Sequence, residues 1–250
     1  LPLVDLAGTL TGTTEETIFD ITFLDVNGIQ HLVYVKKSIG TYTSGANGAT
    51  FDTTWPCDPC DGTVNIDYTG EDYIRVSDLA TISSSIRIDV KFLPFNLPIL
   101  TQDLADITIL NSYDPPLENY DFPIGLGETW YVETMQDVEG SGTSDYFDPD
   151  EVDQYGYENY SFQVSSEGTP TEDSQTTTYS GCDDSYKINQ WNASGVNTGF
   201  RWYCPAVRGN AWSNTYISLG LEIDWLLKEY NPANSSNVIA GSNPGTRDIR

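Results

Sequence analysis

Residues 113–130 read Tyr-Asp-Pro-Pro-Leu-Glu-Asn-Tyr-Asp-Phe-Pro-Ile-Gly-Leu-Gly-Glu-Thr-Trp. Pro115, Pro116 and Pro123 remove backbone donors and push the residues before them out of the helical region, while Gly125 and Gly127 permit angles closed to other residues. The expectation is that no regular element runs through this stretch, which hinges two β-rich halves. Trp130 then opens the alternating run Trp-Tyr-Val-Glu-Thr-Met, the pattern of a strand with one buried face. The chain therefore divides into an N-terminal β domain over 1–112, a hinge over 113–128, a C-terminal β domain over 129–232 and an extended tail over 233–250.

Upstream, Phe19, Ile21 and Phe23 alternate with polar neighbours and lead to Asn27-Gly28, the strongest short hairpin signal, with Leu32 to Val35 as the returning strand. Asn47-Gly48 predicts a second hairpin joining 40–43 to 49–53. Val64, Ile66 and Tyr68 alternate, as do Ile86, Ile88, Val90 and Phe92. Downstream, the acidic, Gly-rich stretch 136–153 reads as a long surface loop. Strand-like runs resume at 160–164, 176–179, 186–191, 200–204 and 215–227. No window shows a helical stripe, and the Asn-, Ser- and Gly-rich tail has no reason to fold alone. The class is all-β: two antiparallel β-sandwich or curved-sheet, half-barrel domains, stapled by disulfides.

Charge narrows the partners. The 250 residues hold 37 acidic against 11 basic side chains, a net charge of -26. Such a chain is repelled by nucleic acid and by anionic membrane surfaces, and cations are its natural company. No run of 18 or more apolar residues is present to span a bilayer. A Leu at position 1, four cysteines and Asn-x-Ser sequons at Asn159, Asn192 and Asn234 all read as a secreted chain, extracellular or at the cell surface, with glycans as candidate modifications.

Trp55-Pro-Cys57-Asp-Pro-Cys60 looks like a thiol-redox motif, in which helix amides acidify a cysteine. Here Asp61-Gly-Thr-Val-Asn-Ile opens a strand instead, and Asp58 and Asp61 disfavour a thiolate. A structural Cys57–Cys60 bridge is the simpler reading, which leaves Cys182 and Cys204 to pair. Four cysteines allow three connectivities, and a four-cysteine zinc site is the rival. His31, the single histidine, has no nucleophile signature beside it.

Asp145, Asp148, Asp150 and Asp153, with Glu151, place five carboxylates within nine residues. Closely spaced carboxylate oxygens on a loop suit calcium, although the register of an EF-hand is missing and a solvated acidic loop is the plain alternative. Trp191, Trp202, Trp212 and Trp225 suggest sugar stacking, against which stands ordinary packing on a sheet face.

Phe122-Pro-Ile-Gly-Leu-Gly-Glu-Thr-Trp130, followed by Trp202-Tyr-Cys-Pro-Ala-Val-Arg-Gly209, resembles a pattern in secreted archaeal and bacterial surface β-proteins. There a Phe-Pro-Leu-x-Val-Gly-x-x-Trp entry leads into a curved antiparallel sheet, and a Tyr-x-Pro-x-Val-Gly segment returns near its end. The resemblance covers residues 120–230. It departs where an extra residue separates Val207 from Gly209 and where Cys204 precedes the proline. It implies an exported β module and supplies no catalytic residues.

The favoured reading is a non-enzymatic structural subunit of a cell-surface or extracellular assembly such as a filament, tube or surface layer. Its partners are copies of itself, and Leu1, Leu3, Val4 and Leu6 form an extended apolar run suited to adding to a neighbour's sheet edge. Cations, calcium among them, would screen the packed charge. The alternative from another class is a secreted carbohydrate-binding module or glycosidase, and a third is a thiol oxidoreductase.

Overall fold

The computed structural model describes residues 4–6, 10–51, 60–144, 148–172, 175–176, 180–217, 221–230 and 245–249. Its strands, in chain order, are β1 (Val4–Leu6), β2 (Thr11–Val26), β3 (Ile29–Thr43), β4 (Ala49–Phe51), β5 (Cys60–Arg75) and β6 (Thr81–Pro94). They continue with β7 (Gln102–Leu117), β8 (Thr129–Ser144), β9 (Gln154–Gly168), β10 (Thr171–Glu172), β11 (Gln175–Thr176) and β12 (Ser185–Asn192). The series ends with β13 (Asn197–Cys204), β14 (Gly209–Ile217), β15 (Leu221–Tyr230) and β16 (Gly245–Ile249). Among the described residues the only helical turns are short 3-10 segments at Pro98–Leu100 and Pro149–Val152, so the expected all-β class stands.

Fourteen strands form one antiparallel sheet in the order β1-β4-β5-β3-β2-β16-β15-β14-β13-β12-β9-β8-β7-β6, and β5 pairs with β6 as well. One edge of β5 therefore carries β3 and β4 while its other edge carries β6. The small β10–β11 hairpin stands apart.

The strands of the two expected halves join this one sheet, because β7 and β8 pair from Ala105–Ser144 to Asp114–Met135 across the supposed hinge. The hinge reading also stops short at its start, where β7 runs on through Pro115 and Pro116 to Leu117. An extended strand tolerates a proline at positions that donate no ladder hydrogen bond, and Thr134 supplies a side-chain hydroxyl to the Pro115 carbonyl at 2.6 Å. Only 118–128 is irregular. Its Gly127 and Glu128 bond to the Val164 backbone at 2.9 Å each, so the segment is fastened over the end of β8 and β9.

Three other expectations change. The first half of the stretch 136–153 is strand, since β8 extends to Ser144. Gly142, at φ 131, lies so close to β7 that a Cβ there would collide with the Asp106 carbonyl, and Gly140 is similarly tight against Pro149. Gly142 allows the close approach of β7 and Gly140 that of the 3-10 turn, a use that a composition rule misreads as loop. The Asn47-Gly48 turn does not join a hairpin: β3 and β4 both pair with β5, at Thr43–Asn65 and Ala49–Gly62. The tail also contributes a strand, because β16 pairs with β15 on one edge and β2 on the other. Two waiting edges supply what a five-residue segment lacks alone. The Asn27-Gly28 hairpin is as expected, with φ of 53 and 80 degrees and β2–β3 paired from Thr11–Thr43 to Val26–Ile29.

Directly opposed residues share a face of a sheet, so the registers define one inner face. Tyr68 is opposite Gly40 and Ile88, Ile88 opposite Ile107, Gln136 opposite Tyr113, and Arg201 opposite Ile188 and Ser213. Packed clusters occupy the two ends of this face. One holds Leu117, Tyr120, Trp130, Val132, Phe162, Val164, Ile188 and Tyr203, with Trp130 stacked on Phe162 at 5.1 Å. The other holds Ala49, Cys60, Val64, Phe92 and Leu104. Trp202, Trp212 and Leu226 pack on the opposite face, where Trp202 donates to Glu172 of β10 at 2.6 Å.

Candidate functional site: the middle of the inner face

Between those clusters the inner face is neither packed shut nor exposed. Ile66, Tyr68 and Asp72 of β5, Ile86, Ile88 and Val90 of β6, Ile109, Asn111 and Tyr113 of β7, and Gln136 and Val138 of β8 are all half-buried. Their registers make them neighbours: Ile66 is opposite Val90, Gly70 opposite Ile86, Ile86 opposite Ile109, and Asn111 opposite Val138. The result is a continuous aliphatic wall flanked by polar groups.

Two polar systems border it. On one side Lys36 of β3 bonds Asp72 at 2.7 Å and Glu16 of β2 at 3.4 Å, gathering two carboxylates on one ammonium. Behind them Thr14 and Tyr42 share a hydroxyl–hydroxyl hydrogen bond, and burial pushes the Tyr42 phenol up to about 12. On the other side Tyr160 donates to Gln136 at 3.1 Å, Gln136 to Asn111 at 3.3 Å, and Asn111 to the Tyr113 oxygen at 2.7 Å. Burial also raises the Tyr113 phenol to about 12, with Asp72 adding to the effect and Asn111 and Arg201 opposing it. Tyr113 thus feels charges from β5 and from β13, strands far apart in the sheet order.

Arg201 of β13 completes the site. Its guanidinium donates to the side-chain oxygens of Asn119 and Gln190, bonds Tyr120, and lies 5.6 Å from the Phe162 ring centre. All four are neutral. Lys36, Lys37, Arg75, Arg87, Lys91 and Lys187 each lie within 4.0 Å of a carboxylate, and Arg208 is exposed. Arg201 is therefore the half-buried cation that, among the described residues, has no carboxylate partner. Burial lowers its pKa, yet a guanidinium so far above neutrality keeps its charge. Asn119 and Tyr120 come from the irregular segment 118–128, in which Asn119 also donates to Thr81 at 2.9 Å and Tyr120 to Asn210 at 2.7 Å. The proline- and glycine-rich stretch is thus part of the site's wall.

The residues singled out from the sequence lie elsewhere. Cys182 and Cys204 form the expected disulfide, with Cα atoms 5.3 Å apart. Cys60 is buried and disulfide-bonded, while Cys57 lies outside the described residues. Asp148 accepts the Asp150 amide at 3.2 Å within its turn, Asp153 accepts the Gly140 amide of β8 at 2.7 Å, and Asp145 lies outside the described residues. Among the described residues, no three His, Cys, Asp or Glu side chains gather as a metal site requires.

Asn159 is exposed on β9; the Asn192 side-chain oxygen accepts the amides of Ser194 and Val196; Asn234 lies outside the described residues. Trp202 and Trp212 are buried, Trp191 and Trp225 half-buried. The rings open to solvent include Tyr131, Tyr155 and Tyr157, at 82%, 74% and 67% exposure on the outer face of β8 and β9, and Phe23 of β2 at 68%. His31 sits on β3 opposite Leu24. Val4 and Leu6 belong to β1, paired with Phe51 and Ala49 of the same chain, and Leu1 and Leu3 lie outside the described residues. Arg201 escaped the sequence reading because a lone arginine in Phe-Arg-Trp-Tyr carries no motif; its one signal was a cation within an otherwise apolar run of a strongly acidic chain. No family model, curated protein or solved structure matches the chain.

Proposed function

We propose that the protein is an exported binding module that holds a small amphipathic molecule against the middle of its inner face. The observation carrying this reading is the contiguous wall of Ile66, Ile86, Ile88, Val90, Ile109 and Val138, which keeps accessible surface although Ile66 and Val90 pack against the cluster around Phe92. Isolated apolar exposure is ordinary, whereas a continuous apolar surface rimmed by a few convergent polar groups is the form of a ligand site. The outer faces of the same strands carry Asp67, Glu71, Asp106, Glu133, Asp137 and Glu139, which suit water. Export is supported by the Cys182–Cys204 bridge, since such bonds persist in oxidising compartments. The test is titration with the neutral apolar dye Nile red, read by fluorescence. Saturable binding near one dye per chain is expected, and an Ile88→Trp change that fills the wall should weaken it. A signal that never saturates would remove the reading.

A second reading, a structural subunit joined to copies of itself, is favoured by β1. This strand is terminal in the sheet order and, among the described residues, pairs only with β4, over three residues, which leaves its outer edge open to strand addition there. Deleting residues 1–8 should reduce assembly size in light scattering; unchanged size would rule out joining through β1.

A further inference from the structure

We propose that Arg201 is the seat for an anionic headgroup, and that the amphiphile of this site is a single-chain carboxylate whose tail runs along the β5–β7 wall. The inference rests on the binding reading above and adds the ligand's charge and direction.

The case begins with an imbalance. In a chain of 37 acidic and 11 basic side chains a cation finds carboxylate company easily, and six other described cations do so. Arg201 is held instead by two amide oxygens, a phenol and an aromatic face. Removing a charge from water without a counter-charge is costly, and neutral acceptors repay only part of it. A bound carboxylate would supply the missing charge through the paired N–H geometry that guanidinium offers. The carboxylates that border the site do not fill this role: Asp72 and Glu16 are both bonded to Lys36.

Geometry gives the direction. Phe162 covers one face of the guanidinium, and Asn119, Gln190 and Tyr120 fix its orientation. Tyr113, which feels the charge of Arg201, stands at the end of an inner-face row that continues through Asn111 to Ile109. From Tyr113 the row passes Asn111, opposite Ser84, to Ile109, opposite Ile86, four residues of strand or about 13 Å at roughly 3.3 Å per residue, and beyond it Ile88 and Val90 stand opposite Ile107 and Ala105. An alkyl chain bound at its head beside Tyr113 would cross the polar Asn111 and bury its far end on the aliphatic patch of Ile86, Ile88, Val90 and Ile109.

The experiment is calorimetric titration of the full oxidised chain with dodecanoate, dodecanol and dodecyltrimethylammonium, each below its aggregation concentration, and of Arg201→Gln and Arg201→Lys variants with the same three. Dodecanoate is expected to bind at least about tenfold more tightly than dodecanol, and the ammonium least tightly of the three. Arg201→Gln should remove the preference for dodecanoate while leaving dodecanol binding in place, and Arg201→Lys should retain part of it. Equal affinity for the carboxylate and the alcohol, or undiminished dodecanoate binding by Arg201→Gln, would overturn the assignment of Arg201 and leave the binding reading intact. If none of the three binds, the binding reading itself falls. Should Arg201→Gln not fold, the comparison of the three headgroups on the unaltered chain still decides.

Discussion

The Tyr68 and Trp225 rings meet edge to face with centroids 5.9 Å apart, although β3, β2 and β16 lie between their strands in the sheet order. The inner face therefore comes round to meet itself, and the contact reports directly on that curvature. Edge-to-face pairs contribute about 0.5–1.5 kcal/mol beyond the area they bury. A double-mutant cycle of Tyr68→Leu and Trp225→Leu, measured by chemical denaturation, should give a coupling in that range. Strict additivity would mean the two strands do not face one another.

Alkali should unfold the protein in a defined window. The Tyr42 and Tyr113 phenols stand at about 12, above the ordinary value of 10.0, chiefly because burial disfavours the phenolate. The folded state thus keeps protons that the unfolded chain releases, so stability is complete below pH 10 and declines as pH rises toward about 12. Ultraviolet phenolate absorbance should show a late group, Tyr42 and Tyr113 in it, ionising together with loss of structure. Ionisation of every tyrosine in one early step would contradict the burial.

Glycine positions divide sharply. A Cβ at Gly142 would strike the Asp106 carbonyl from a backbone angle that side chains rarely adopt, whereas one at Gly156 meets nothing within 4 Å. Gly142→Ala should cost about 2 kcal/mol or more, and Gly156→Ala should be neutral or stabilise by about 0.5 kcal/mol. Equal effects in thermal denaturation would show that β7 and β8 are not in the register found here.

The Cys182–Cys204 bridge spans 22 positions of sequence. Loop-closure entropy alone makes this worth about 3 kcal/mol, or roughly 6–12 °C in Tm for a chain of this size. The Cys182→Ser, Cys204→Ser double variant should show that loss while remaining folded. A fully unfolded variant would mean that the bridge holds together far more than its own loop.

Local chemistry made much of the architecture legible. Alternation at Val64–Tyr68 and Ile86–Phe92 announces strands with one buried face, Asn27-Gly28 announces its hairpin, and Cys182 and Cys204 are the pair that remains once Cys57 and Cys60 are read together, one of three connectivities the sequence allows. Strand content and the oxidised state are set by residues and their near neighbours, so they are readable without a fold.

Partner choice is not local, and that is where the reading of residues 113–130 as a hinge gave way. Hydrogen bonding between β7 and β8, the capture of Gly245–Ile249 between β15 and β2, and the sharing of β5 by β3 and β4 all depend on edges made by distant segments. Composition cannot state which edge stands open. The candidate site has the same origin: Arg201, Asn119, Gln190 and Tyr113 are ordinary residues on separate elements, each silent in its own stretch of chain. The amino-acid order determined that this chain is strand, acidic and disulfide-bridged. Only the tertiary structure decided that one face would gather an aliphatic wall beside a cation held, among the described residues, by neutral groups, because long-range register, rather than propensity, chooses which side chains meet.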